Sequence, residues 1–192
     1  MCEVKAMLEF EKKQLLTQTE YECLFELIKN DSVAFLQTNY YYDTEDFKMH
    51  HSGITCRIRE KNGIFTATVK KHRTKDRECS VEHSKSVQNT QDTTFFGEPT
   101  LKLHGTLQTY RIVWNPCEGI EVALDRNCYL DFTDYELEIE YVPAMKREAE
   151  ELLNRLPIFQ NRHRTTCLHN GLNKSARFFA RLKSQKGNGG DI

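Results

Sequence analysis

The stretch Glu9-Phe10-Glu11-Lys12-Lys13 places two carboxylates and an ammonium at alternate positions. Glu136-Leu137-Glu138-Ile139-Glu140 repeats the pattern with three carboxylates near the other end of the chain. Between them lie Arg57-Ile58-Arg59 and Thr66-Ala67-Thr68-Val69-Lys70. Alternate side chains of a β-strand share a face. Each segment therefore carries charge on one face and mostly apolar bulk on the other. Arg111 sits between Tyr110 and Ile112, and Glu121, Ala123 and Asp125 alternate with Ile120, Val122 and Leu124. One charged strand face is ordinarily a solvated outer face. Here six strands share the pattern, and the signs are segregated, with acids on the first and last strands and bases between them. Like charges crowded together need water, counter-charges or a charged ligand.

Working outward, about eight strands are predicted: Val4 to Leu15, Ser32 to Thr44, Gly53 to Arg59, Ile64 to Lys70, Arg77 to His83, Leu107 to Trp114, Ile120 to Asp125 and Asp134 to Val142. Asn62-Gly63 marks a hairpin between two of them. Short links favour antiparallel pairing. Eight antiparallel strands can close into a barrel without free edges, with room for one small ligand. With the apolar faces packed outward under helices, the ionisable faces line the lumen. Thr17-Gln18-Thr19-Glu20 is a capping box before a helix from Tyr21 to Ile28. Pro143 opens a second helix, Ala144 to Leu156, which Pro157 stops, and Lys174 to Lys183 forms a third. Lys85 to Lys102 reads as a loop with a short helix. The expected class is α+β, mainly β: a closed eight-stranded antiparallel barrel with a few flanking helices.

The 192 residues suit one domain with a real core. A hydrophobic share of 39% and a charged share of 29% are those of a soluble globular chain. A net charge of −1 excludes the global basic field of non-specific nucleic-acid binders. No apolar run approaches the roughly 18 residues of a membrane span, and Met1-Cys2-Glu3-Val4-Lys5 lacks a signal-peptide apolar core. Seven cysteines without a CxxC pair read as free thiols in a reducing cytosol, so a cytoplasmic protein is expected. His50-His51 reads as a surface or turn pair.

Glu9-x-Glu11-x-Lys13 resembles the signature of the CYTH superfamily, the triphosphate tunnel metalloenzymes. Tyr40-Tyr41-Tyr42-Asp43-Thr44, Arg57-x-Arg59, Thr68-x-Lys70, Arg111, Asp125, Glu138-x-Glu140 and Lys174 follow in the family's order. The resemblance runs from about Val4 to Leu182, and spacing and composition look like the small bacterial members of the YjbK type. It implies a single CYTH domain over residues 1–184, while the polar, glycine-rich composition of 185–192 predicts a disordered tail. The resemblance also implies a metal-dependent triphosphatase acting on inorganic tripolyphosphate or an organic or nucleoside triphosphate. Glu9, Glu11, Glu138 and Glu140 would bind Mg²⁺ or Mn²⁺, while Lys13, Arg57, Arg59, Lys70, Arg111 and Lys174 would grip phosphates. Lys70, Glu82 and Asp125 are the expected catalytic residues, with Asp125 near a metal or orienting a basic side chain. Alternation puts Glu78 and Glu82 on one face, and Glu82 is preferred for the family's acidic position.

Phosphoryl transfer needs positioning and charge neutralisation more than a covalent nucleophile, and no Ser, Cys or His constellation offers one. Tyr40 or Tyr42 is placed to touch substrate, with core packing as the ordinary role. Two other readings stand beside hydrolysis: a class IV-type adenylyl cyclase, and a non-catalytic triphosphate- or polyphosphate-binding module. The expected partner is a small triphosphate, with no membrane and no nucleic acid beyond an RNA 5′-triphosphate end. The expected assembly is a monomer or homodimer.

Overall fold

Antiparallel pairing joins eight strands in the order β1-β5-β4-β3-β2-β6-β7-β8, and β8 closes back on β1. The strands are β1 (Lys5–Leu16), β2 (Ser32–Asp43), β3 (Ile54–Lys61), β4 (Ile64–Arg73), β5 (Asp76–Val87), β6 (Lys102–Cys117), β7 (Ile120–Tyr129) and β8 (Phe132–Tyr141). This computed structural model describes residues 5–73, 76–97, 101–160 and 173–187. The five helices are α1 (Gln18–Ile28), α2 (Lys48–His51), α3 (Lys146–Arg155), α4 (Pro157–Gln160) and α5 (Lys174–Gly187). The barrel expected from the alternating charges is therefore present. No helix among the described residues is long and apolar enough to cross a membrane.

Local sequence explains the main elements. Asn62 and Gly63 both have positive φ, as a two-residue hairpin turn of the matching twist requires. Thr17 and Glu20 cap α1 reciprocally. Tyr21, Leu24 and Ile28 then bury one helix face. That face, with α3 and α4, covers the outward apolar residues of β7 and β8, including Val122, Leu124, Leu137 and Ile139. Cys56, Ile58 and Ala67 point outward from β3 and β4 and pack with Tyr42 and Phe96. The outward apolar and inward ionisable faces follow the period-two pattern.

One end of the barrel is filled. Phe178, Phe179 and Leu182 of α5 pack against Tyr41, Leu107 and Tyr129 in a buried cluster. The backbone must come close for this: a Cβ on Gly105 would lie 2.8 Å from the Phe178 ring, and its φ of +150° suits glycine. The opposite end, beside the Asn62-Gly63 and Glu118-Gly119 turns, is the mouth.

Several boundaries differ from the sequence reading. β5 reaches Val87 because it pairs with β4 as far as Phe65, and β6 begins at Lys102 because it pairs with the end of β2 at Asp43. Strand thus takes both ends of the segment expected as loop, leaving a single helical turn at Thr94–Phe96. Pro157 ends α3 and also starts α4. The helix α5 runs on through Gln185, Lys186 and Gly187, where the composition predicts a disordered tail. Residues 188–192 lie outside those described. Among the described residues, Cys23, Cys56, Cys79, Cys117 and Cys128 form no disulfide.

Truncating the plug tests its weight. Phe178→Ala is expected to destabilise the protein by about 3–5 kcal/mol, as for other buried phenylalanines. Urea unfolding followed by circular dichroism reads this as a lower midpoint.

Candidate active site

The inner face of the barrel gathers most of the charged residues singled out in the sequence around one cavity of about 370 Å³. Glu9, Glu11 and Lys13 reach it from β1, Arg57 and Arg59 from β3, and Lys70 from β4. Glu82 comes from β5, Arg111 from β6, Glu138 and Glu140 from β8, and Lys174 from the first turn of α5. Register sets opposite charges across three strand pairs: Lys13 against Glu138, Lys70 against Glu82, and Arg111 against Asp125. Phe10 and Lys12 alternate outward, where Lys12 pairs with Glu150 at 3.3 Å.

The acidic side centres on Glu138. It accepts from Lys13 at 2.9 Å, from Lys174 at 2.6 Å and from Arg111. Burial alone would raise its carboxyl; Lys13, Lys174 and Arg111 instead hold it well below the usual range. Asp125 is fully buried and binds Arg111 through two parallel bonds of 2.8 and 2.7 Å. It therefore holds the Arg111 guanidinium in a fixed orientation. Lys174 also lies 2.8 Å from Asp125 and 2.7 Å from Glu136. Glu11 resists the rise that burial would impose because Lys13 and Lys70 lie at 3.0 and 3.4 Å.

Glu140 is different. Among the described residues it has no cation within ion-pair distance. Burial, and then the neighbouring Glu138 charge, push its carboxyl up to about 7. Carboxylate oxygens of Glu11, Glu138 and Glu140 lie within 4.8 Å of one another. Three hard oxygen donors around one point suit Mg²⁺ or Mn²⁺, and the unbalanced charge on Glu140 favours such an ion. Asp125, Glu136 and Glu138 form a second group of the same span, but Lys174 already occupies its centre.

The basic side shows the mirror deficit. Arg59 Nε donates to Asn39 Oδ1 at 3.0 Å, and among the described residues its guanidinium has no carboxylate partner. Burial, and then Arg57 and Arg111, lower it to about 10. Arg57 reaches Glu82 at 3.5 Å, while among the described residues its buried Nε has no hydrogen-bond partner. Lys70 bridges the two sides, 2.7 Å from Glu9 and 3.9 Å from Glu82. Burial would raise Glu82, but Arg57 and Lys70 lower it.

Some placements depart from the sequence reading. Tyr40 and Tyr42 face outward, and Tyr42 donates to the Thr90 carbonyl. Tyr41 is the tyrosine that lines the cavity. Lys13 sits among the carboxylates rather than beside the arginine pair. The side chain of Glu78 lies outside the described residues. Sequence reasoning did not assign Glu136 or Arg177, which pair at 3.0 Å, or Asn39. Glu136 shares a strand face with Glu138, and Arg177 lies three residues after Lys174 on one helix face. Those spacings were the available signals.

The CYTH domain family model matches residues 7–160. The chain belongs to the CYTH family. YjbK of Bacillus subtilis (strain 168), provisionally named a triphosphatase, is 26% identical over 180 residues, covering 84% of this chain and 93% of that protein. A Bacillus halodurans crystal structure, provisionally described as an adenylate cyclase, has a TM-score of 0.72 at 25% identity, covering 91% of this chain and 98% of that one. HpAC1 from Hippeastrum shares the fold with a TM-score of 0.61 at 18% identity, covering 77% and 84%. The CYTH fold thus accounts for the barrel and the order of its charged strands.

The raised carboxyl of Glu140 has a consequence for stability. A carboxyl whose folded pKa exceeds its unfolded value weakens the fold as pH rises through that interval. Removing the charge should therefore help at high pH only. With chelator present, Glu140→Gln is expected to stabilise the protein at pH 8 by on the order of 2 kcal/mol. This gain should vanish near pH 5, and thermal unfolding at the two pH values reads the difference.

Proposed function

We propose that this CYTH protein hydrolyses a triphosphate group held together with Mg²⁺ or Mn²⁺ inside the barrel. The observation that carries this reading is the pair of opposed deficits. Glu140 lacks a cation while Arg59 lacks an anion, both on the wall of one cavity. A metal–triphosphate complex supplies both charges at once.

Arg57, Arg59, Lys70 and Arg111 would donate to phosphoryl oxygens, the arginines with two bonds each where the geometry allows. Asp125 holds the Arg111 guanidinium in plane for that contact. Glu82 places a counter-charge 3.5 Å from Arg57 and 3.9 Å from Lys70. Lys13 and Lys174 keep Glu138 ionised. Glu11, Glu138 and Glu140, with Glu9 beside them, would hold the ion. Bound there, the ion would polarise a phosphoryl oxygen and neutralise charge as the bond to the leaving phosphate breaks. Water is the attacking group, so no side chain forms a covalent intermediate.

Two relatives support this choice: YjbK carries a provisional triphosphatase name, and HpAC1 is described as having a dominant triphosphatase activity. The provisional adenylate cyclase description of the Bacillus halodurans protein favours a second reading. In it, the same grip lets the ribose 3′-hydroxyl of ATP attack, yielding cyclic AMP rather than free phosphate.

Glu11→Ala and Arg59→Ala are each expected to cut phosphate release from tripolyphosphate by roughly 10²-fold or more, with circular dichroism unchanged. Full activity in both variants overturns the proposal. Chelation should also abolish turnover of the parent protein, and added Mn²⁺ or Mg²⁺ should raise its melting temperature. A cyclic nucleotide product from ATP would move the assignment to cyclisation.

A further inference from the structure

The charged walls account for a phosphate chain but not for the mouth. The inner face of β2 reads Val33, Phe35, Gln37, Asn39 and Tyr41, without a single charge. It stands against the basic face of β3, with Gln37 opposite Lys61, Asn39 opposite Arg59 and Tyr41 opposite Arg57. Toward the mouth this neutral wall turns apolar. Val33 is 70% exposed there, and Phe35 and Val113 line the same cavity beside it. The Lys61 ammonium lies 3.5 Å above the centre of the Phe35 ring. The ring thus presents a face that takes a partner, and Lys61 is a long side chain next to a hairpin tip, free to turn aside.

Gln37 adds a directional group. It is only 2% exposed, and among the described residues its Nε2 has no hydrogen-bond partner. A buried amide left unpaired is unfavourable, and this one sits on the cavity wall two residues further in than Phe35. Phe35 itself is opposite Arg111 in the β2–β6 ladder. An aromatic face and a hydrogen-bond donor therefore stand beside Arg111 and on the mouth side of Arg59 and Arg57. Inorganic tripolyphosphate has nothing to place on Phe35 or Val113. A flat, uncharged ring carrying acceptor atoms matches both Phe35 and Gln37.

Resting on the triphosphatase reading, we propose that the substrate is a nucleoside triphosphate, with its base stacked on Phe35 and accepting a hydrogen bond from Gln37 Nε2. Lys61 moves from the ring toward the phosphate nearest the sugar as the base takes its place. Phe35 and Gln37 then set specificity, and the arginines and carboxylates perform the chemistry.

The test is phosphate release by the full chain with Mn²⁺, comparing ATP, GTP, thiamine triphosphate and tripolyphosphate. The parent, Phe35→Ala, Phe35→Trp and Gln37→Leu are measured with each. The expected result is a higher kcat/KM for a nucleoside triphosphate than for thiamine triphosphate or tripolyphosphate. Phe35→Ala should raise KM for that nucleotide at least fivefold more than KM for tripolyphosphate, with kcat little changed. Phe35→Trp should restore it, and Gln37→Leu should move KM in the same direction as Phe35→Ala. A preference for tripolyphosphate or thiamine triphosphate, or equal shifts on all substrates, overturns the nucleoside assignment and leaves the triphosphatase reading standing. If no substrate releases phosphate, the triphosphatase reading falls. Calorimetric binding of ATP against tripolyphosphate, to the parent and Phe35→Ala, then decides the mouth subsite by itself: weaker ATP binding alone supports it, and equal loss overturns it.

Discussion

Glu138 accepts from three cations that arrive on three different elements, Lys13 on β1, Arg111 on β6 and Lys174 on α5. A carboxylate taken out of water is tolerated only when counter-charges and hydrogen bonds replace its hydration. Here the replacement also links distant parts of the chain. Strands from the start and end of the fold must adjoin, and α5 must enter the lumen far enough for its first residue to reach the acid. Asp125 and Glu136 extend the same demand, since Arg111, Lys174 and Arg177 are shared among them. In the deep half of the lumen each of these acids thereby meets a counter-charge.

The outer half is not matched in this way. Glu140 lacks a cation and Arg59 lacks an anion, although Lys70 already spans the gap between the two sides. A site whose dipoles and charges are fixed before the ligand arrives spends little on rearrangement when it binds. Neighbouring side chains hold the basic groups in place: Asp125 fixes Arg111, Glu82 pairs with Arg57, and Asn39 accepts from Arg59.

The barrel and most of the charged wall were legible because burial inside a closed sheet forces strict alternation. Glu9-x-Glu11-x-Lys13, Arg57-x-Arg59 and Glu138-x-Glu140 each declare their face by spacing alone. Where alternation gives no signal, the reading fails. Three tyrosines in a row are apolar in either phase, so Tyr41 could not be told from Tyr40 and Tyr42. The ends of β5 and β6 depend on how long their partners β4 and β2 are, which no local pattern states. That Lys13 sits among acids, and that Arg177 joins Glu136, follow from the register and from where α5 docks. Both are long-range facts. Gln37 and Asn39 were invisible because a neutral amide carries no charge pattern, and its meaning comes from an unpaired buried hydrogen.

Among the described residues, the aromatic plug of Phe178, Phe179 and Leu182 closes one end of the tunnel and leaves the mouth as its opening. Whatever enters must leave by the way it came, so traffic is one molecule at a time and a lingering fragment bars the next arrival. A polymer cannot be threaded through; it can offer only its terminus. Any chain longer than the lumen would be worked from its end and never cut in its middle.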